Sequence, residues 1–245
     1  MNITIKYYCM KSINFFIAFF FSWQAAFSQT NLINDGPMNT QSPSFFLDYL
    51  KDEKSADLFR PDLYAGVEGT PYLSESWTYA RIKLADGRKF DSVLLKLNLY
   101  ENKIHFKDQN GRERMVATQV REIEIRDASS KWNNAVFVSG YGEDKNMFFQ
   151  ALTDGNKTEL LKKMNVIIKE MKVFNAPNQK SFELQERLFI YSSGTGTLYQ
   201  ESKNCSSLMN AFGNDSKITS FISSNDIKCN KEKDLGKLVD YYNSY

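Results

Sequence analysis

"LKLNLYENKIHFKDQNGRERMV", residues 95–116, runs apolar and polar by turns, breaks at Asn110-Gly111 and then resumes. Leu95, Leu97 and Leu99, with Val93 ahead of them, fall on one side of an extended chain, and Lys96 and Asn98 fall on the other. After Tyr100-Glu101-Asn102 the pattern returns, with Ile104 and Phe106 pointing one way and Lys103, His105 and Lys107 the other. A period of two is the signature of a strand with one buried face. Asn-Gly supplies the left-handed backbone that a tight hairpin needs. The stretch therefore reads as successive antiparallel strands.

The same texture extends in both directions. Upstream, WTYARIKL (77–84) leads into the turn Ala85-Asp86-Gly87; downstream, VREIEIR (120–126) alternates Ile123 and Ile125 with Glu122, Glu124 and Arg126. Further strands are expected at NAVFVSG (134–140) and NMFFQALT (146–153), with Asp154-Gly155 as another hairpin turn. Residues 157–174, KTELLKKMNVIIKEMKVF, point two ways. Leu160, Leu161, Met164, Ile167, Ile168 and Met171 fit a helical face, whereas the Asp-Gly before them and the strand-like SFELQERLFIYSS after them favour a continued meander. Context tips the balance to strand.

Past residue 201 the pattern changes to short amphipathic helices. Cys205, Leu208, Met209 and Phe212 share one face, which Gly213 ends; Ile218, Phe221 and Ile222 make a second, and Leu235, Leu238, Val239 and Tyr242 a third. Helices this short do not stand alone in water, so they must pack on one another or on the sheet. The expected fold is mainly β: an antiparallel meander, as an open barrel or curved sheet, over residues 77–201, with a small C-terminal helical unit over 202–245.

The start of the chain has a different character. Lys6 and Lys11 precede an apolar run from Ile13 to Trp23, and Ala26-Phe27-Ser28 follows, the layout of a secretory signal peptide cleaved after residue 28. The alternative, a membrane anchor, needs roughly 20 apolar residues, and the continuous run is shorter. No later stretch reaches membrane length, so no transmembrane segment is expected after signal removal. Residues 29–76 read as a flexible leader and arm: 29–43 are polar and aperiodic, FFLDYLKDEKSADLF is either a short helix or an extended arm, and RPDLYAGVEGTPYLSES is rich in turns. Removing 28 residues from 245 leaves 217, and takes two lysines from the 31 basic side chains but none from the 29 acidic ones, so the remainder is neutral. A neutral chain with interspersed signs gives no argument for nucleic acid or an anionic membrane as a partner, and no nucleic acid is expected. Cys9 leaves with the signal peptide, and Cys205 and Cys229 remain as an even pair suited to an oxidising compartment, either as a disulfide or as two buried thiols.

Candidates for chemistry are few. His105 is the one histidine in the chain, which rules out a multi-histidine metal site, and Lys103 and Lys107 on its own strand face suggest a solvated surface position. Cys205 on an apolar helical face reads as inert. Gly194-Thr195-Gly196-Thr197 lacks the Gly-Lys-Ser/Thr and the strand-to-helix context of a phosphate loop, and is a turn. No cofactor is implied. Glu122 and Glu124, about 7 Å apart on one strand face, are the only enzyme-like pair; they suit the acid and base roles of glycoside hydrolysis, or else an exposed face on which Arg112, Arg114 or Arg126 pairs with them. Trp77, Tyr79, Trp132, Tyr141, Tyr241, Tyr242 and Tyr245 form either a ligand platform or ordinary core and rim.

EGTPYLSESWTYARIKLADGRKFDSVLLKLNLYENKIHFKDQNGRERMVA, with FFQALTDGNKTELLKK and the ending KDLGKLVDYYNSY, resembles a group of exported β-rich proteins of Gram-negative bacteria that have no assigned activity. Their Gly-Ser/Thr-Pro-Tyr-Leu opening, Asp-Gly turn and Leu-Lys-Tyr/Leu-Asn-x-Tyr strand are matched here, except that Leu97 stands where an aromatic residue is frequent. The likeness covers most of residues 68–245. It implies export to a bacterial periplasm, outer membrane surface or medium, and a β meander; in a periplasm Asn156, Asn204 and Asn214 are chance glycosylation sequons. The functional expectation is a non-enzymatic envelope protein that binds another envelope protein or a cell-surface polymer through its sheet face or helical tail. The alternative is an envelope glycan hydrolase using Glu122 and Glu124.

Overall fold

The computed structural model describes residues 64–108, 110–116, 118–172 and 179–245, together with the backbone of Thr40–Gln41. The signal-peptide expectation for residues 1–28, and most of the leader expectation, fall outside these residues. The described chain forms one large, unclosed, mixed sheet with a helical unit at its C-terminal end, as the alternation and the change of texture near residue 201 led us to expect.

Its strands are β1 (Thr40–Gln41), β2 (Val67–Glu68), β3 (Thr78–Leu84), β4 (Lys89–Asn98), β5 (Lys103–Lys107) and β6 (Glu113–Met115), then β7 (Val120–Ile125), β8 (Val136–Val138), β9 (Phe149–Ala151), β10 (Thr158–Met171), β11 (Gln179–Ser192) and β12 (Thr197–Gln200). In space the order is β12-β11-β10-β9-β8-β7-β3-β4-β5-β6, while β1 and β2 add parallel to β4 and β11. Two meanders thus share β3, which pairs with β4 on one edge and with β7 on the other. Four strand spacings of ~4.8 Å separate β6 from β7, at least ~19 Å in a flat sheet. Only five residue steps join Met115 to Val120, a reach of ~17 Å. The first half must curl, and Ser92, with φ of 56°, lies in the strand that turns the corner.

Alternation decides the inside of the curl. Ala80, Ile82, Leu84, Phe90, Leu95 and Phe106 are sealed, and Ile123, Ile125, Phe137, Met164 and Val166 complete this first core. The β5–β6 hairpin turns as the Asn-Gly signal required, with the left-handed residue falling on Gly111 (φ 73°) and Asp108 accepting from the N–H groups of Asn110 and Arg112. Residues 157–174 are strand where they are described: β10 pairs with β11 through 14 consecutive residue pairs, so the helical spacing of its apolar residues is outvoted by the ladder. Asp154-Gly155 lies, as expected, in the hairpin connection between the antiparallel neighbours β9 and β10, which runs to six residues. Gly155 carries no side chain because a Cβ there would come within 2.1 Å of Asn243 Nδ2 and 2.5 Å of the Thr158 carbonyl.

One boundary is corrected: the ordered domain begins before Trp77, since Val67–Glu68 pair with β11 and Leu73 N–H donates to Leu97 O at 2.9 Å. The sheet is mainly antiparallel, with β1 and β2 as parallel additions.

The tail consists of a 3-10 segment (Cys205–Phe212) and two helices, α1 (Ser216–Ser224) and α2 (Glu232–Asn243). Asn204 and Asp215 cap the first two, and Gly213 ends the 3-10 segment in the left-handed region at φ 62°. Leu208, Phe212, Ile218, Leu235, Leu238 and Val239 pack with Leu160 and Ile190 of the sheet in a second core. Cys205 and Cys229 are bridged inside this unit with Cα atoms 5.2 Å apart, well within disulfide reach.

Candidate ligand-binding cleft

The long hairpin creates an opening in the sheet. β9 is three residues long and pairs with β10 only at Leu161, Lys162 and Lys163. Three residues further on, Val166 N–H donates instead to Leu99 O of the β4–β5 turn at 3.2 Å. Where β10 passes from one neighbour to the other lies a cleft of about 810 Å³, bounded also by the β6–β7 link and by residues 144–148. That size falls in the range of small-molecule sites.

Its floor is hydrocarbon. Ile104, Val120, Phe148 and Val166 are 3%, 4%, 7% and 6% exposed, so they face the cleft but are anchored in the first core. Its rim is pinned by Asn102, which turns the corner at φ 54°: the side-chain Nδ2 donates to Asn146 O at 2.8 Å and Oδ1 accepts from Phe148 N–H at 3.1 Å. Asn98 fixes the same turn from the inside, accepting at Oδ1 from the N–H groups of Tyr100 and Glu101. Both acids on the rim have polar neighbours. Asp144 accepts from Asn146 N–H at 3.0 Å, and Glu101 lies near the Tyr64 hydroxyl, whose pKa is pushed up to about 12, chiefly by burial with the nearby Glu101 charge adding to it. Lys103, Lys163 and Asn165, by contrast, reach the cleft with no ion pair or side-chain hydrogen bond. The opening is preformed, with free polar groups above an apolar floor.

Glu122 and Glu124 do not line it, although Val120 of the same strand does. They share the outer face of β7, opposite Val138 and Val136 of β8. Glu124 Oε1 lies 2.7 Å from Arg126 Nη2, and its Oε2 lies 3.6 Å from Arg81 Nη1, which also binds Asp91 through Nε at 2.5 Å. A carboxylate held between two guanidiniums is a poor proton donor or nucleophile, and the hydrolase reading is dropped.

His105 is a correction of another kind. It lies on the outer face of β5 as alternation required, yet it is 0% exposed. The turn-rich segment before β3 covers it: the Tyr72 ring meets it edge-on at 5.4 Å, and its Nδ1 lies 2.8 Å from Glu113 Oε1. Burial lowers its pKa, with Glu113 opposing the shift. Lys96 and Lys107 lie over the rings of Tyr72 and Trp77 at about 5 Å and close the same cover.

The other aromatics form no single platform: Tyr241, Tyr242 and Tyr245 gather at the end of the tail with Lys157 and Lys217 over their rings, and the rest are used locally in packing. Trp132 packs on Phe137 and donates to Leu73 O, Tyr141 donates to Glu159, Tyr241 stacks on Phe221, Tyr242 meets Phe212 and Tyr245 donates to Asp215. Tyr79 is half exposed by itself. Gly194–Thr197 joins β11 to β12 as a turn, with Gly196 at φ 67°. Among the described residues no three His, Cys, Asp or Glu side chains gather as a metal site would, and no helix is long and apolar enough to cross a membrane.

Sequence reasoning passed over Lys163, Asn165 and Asn102. Once residues 157–174 are read as strand, Lys163, Asn165 and Ile167 alternate onto one face, which was the available signal. No family model matches the chain, and no curated protein or solved structure is similar to it.

Proposed function

We propose that this chain is an exported, non-enzymatic binding protein of the bacterial cell envelope, and that the cleft beside β10 is its binding site. The observation that carries this reading is the contrast within the cleft: a rim tied by Asn102 and an apolar floor, beside polar groups at Lys103, Lys163 and Asn165 that the fold leaves unused. Preorganised concavity with a few free polar groups is the general form of a small-ligand site. A basic and apolar N-terminal segment and a disulfide in the tail support export, since disulfides persist in oxidising compartments. The earlier choice of the sheet face or helical tail has less behind it: the outer face is occupied by ion pairs and by residues 64–77, and the tail's apolar faces are used in the second core.

The test is chemical-shift mapping of protein recovered from the periplasm against fractionated envelope components, in parallel with Asn165→Trp, which fills the cleft. Binding that perturbs residues 99–104 and 163–167, and that the Trp variant abolishes, supports the reading. Equal binding by both proteins overturns it.

A further inference from the structure

On that reading the chemistry of the occupant can be taken further, because β10 presents the cleft with a gradient rather than a uniform wall. Lys163, Asn165 and Ile167 occupy alternate positions and all three line the cleft, so a cation, an amide and an aliphatic group follow one another at ~7 Å intervals along one face. The cationic end is reinforced across the hairpin. Lys163 stands directly opposite Arg187 of β11, and no carboxylate among the described residues pairs with either. Like charges opposed on neighbouring strands repel and cost stability unless an anion lies between them. Next along the same face Asn165 stands opposite Gln185; of these four side chains Lys163 and Asn165 line the cleft, so an acid there finds one cation and one amide, with Arg187 adding positive potential from the neighbouring strand. Beyond them Ile167 supplies a half-buried aliphatic group on the same face, at the side of the cleft whose floor is Ile104, Val120, Phe148 and Val166. The rim adds a second lining cation at Lys103, while its two carboxylates have neutral groups beside them, the Asn146 N–H at Asp144 and the Tyr64 hydroxyl near Glu101.

We infer that the cleft takes a small acidic amphiphile, a carboxylate carrying an aliphatic body, laid along β10 with its acid at Lys163 and its aliphatic end at Ile167. The carboxylate accepts charge-assisted hydrogen bonds from Lys163 and the Asn165 amide, and the hydrocarbon covers the half-buried Ile167 and the little of the floor that remains exposed.

Three probes separate the contributions: octanoate has both parts, octanol lacks the charge, and glucuronate has the charge on a polar body. Titrated into the full mature protein and followed by the amide resonances of residues 163–167, octanoate binds most tightly. Lys163→Gln weakens it about fivefold, as expected for a partly exposed charge contact, and the loss shrinks as salt is raised. Ile167→Ser weakens octanoate and octanol alike, while Lys163→Gln leaves octanol unchanged. Octanol binding as tightly as octanoate, glucuronate binding more tightly, no octanoate binding, or a Lys163→Gln variant with wild-type affinity each overturns the inference. A neutral or cationic envelope component that shifts the cleft resonances, and is blocked by Asn165→Trp, defeats this inference and leaves the binding reading standing. An envelope component bound equally by wild type and Asn165→Trp defeats the binding reading itself.

Discussion

Replacing Asn243 with alanine tests how the helical tail is fastened to the sheet. Alternate residues of β10 direct their backbone groups toward β9: Leu160 O accepts from Leu152 N–H and Leu160 N–H donates to Thr153 Oγ1. Two residues back, Thr158 faces the same way, but β9 has ended, and the Asn243 side chain takes its place. Asn243 Oδ1 accepts from Lys157 and Thr158 N–H at 3.1 Å each, and Nδ2 donates to Thr158 O at 2.8 Å. Thr158 is 0% exposed, so alanine leaves a buried N–H and C=O without partners. Each such group costs about 1–3 kcal/mol, and partial access of water through half-buried Lys157 reduces the sum, so a loss of about 2–3 kcal/mol is expected. That corresponds to a fall in Tm of roughly 5–10 °C for a domain of this size. Urea unfolding followed by circular dichroism should show a lower midpoint with an unchanged slope. Gly155→Ala is the companion variant, since its Cβ meets Asn243 Nδ2. In the Asn243→Ala background Gly155→Ala should cost less than in wild type, although the Thr158 carbonyl still crowds it. An Asn243→Ala protein within about 0.5 kcal/mol of wild type, the level of an ordinary surface change, refutes the argument.

Other expectations follow from the same contacts. Under denaturing, non-reducing conditions a thiol assay of the mature protein should find no free cysteine, and Cys205→Ser with Cys229→Ser should lower stability by about 2–4 kcal/mol; two titratable thiols would contradict the bridge. His105 has its folded-state pKa lowered by burial, so the unfolded chain takes up the proton first. Its contribution to stability is whole above about pH 6.5, the unfolded value, and is lost as pH falls toward the lower folded one. His105→Gln should flatten the stability profile between about pH 7 and 5, and an unaltered slope would count against the buried placement. The Arg114 guanidinium, aided by backbone N–H groups, holds Asp108 down to about 2 from an ordinary 3.8, so its stabilisation is present above pH 4 and disappears as pH falls toward 2. Asp108→Asn should remove that acid-dependent portion and loosen the β5–β6 turn, seen as faster amide exchange at Gly111 and Arg112.

The strands, most of the turns, the cysteine pair and the three helical faces were legible in the chain because each rests on local spacing. Alternation placed Leu95, Ile104, Phe106, Ile123 and Ile125 in the core without reference to anything distant. Local spacing says only which face a side chain takes, not what covers that face. His105 alternates outward and is nevertheless sealed, because Tyr72, 33 residues earlier, folds over it. Glu122 and Glu124 were correctly placed on one outward face, but Arg81 reaches Glu124 only once β3 and β7 are neighbours. Asp154-Gly155 signalled the β9–β10 hairpin, but the side chain from the last helix that also requires its glycine was not visible in local spacing.

Sequence by itself thus determined a pleated, half-buried chain with a helical end, since hydrophobic periodicity and turn chemistry act over a few residues; that Cys205 and Cys229 come within bridging distance was decided only by the fold. Tertiary structure alone decided the cleft. It exists because a three-residue β9 cannot follow a 14-residue β10, and the remainder of β10 finds its next partner at Leu99, more than sixty residues away in the chain. Which backbone edge is left unpaired, and which cations then face the gap, depends on the lengths of strands that meet only after folding.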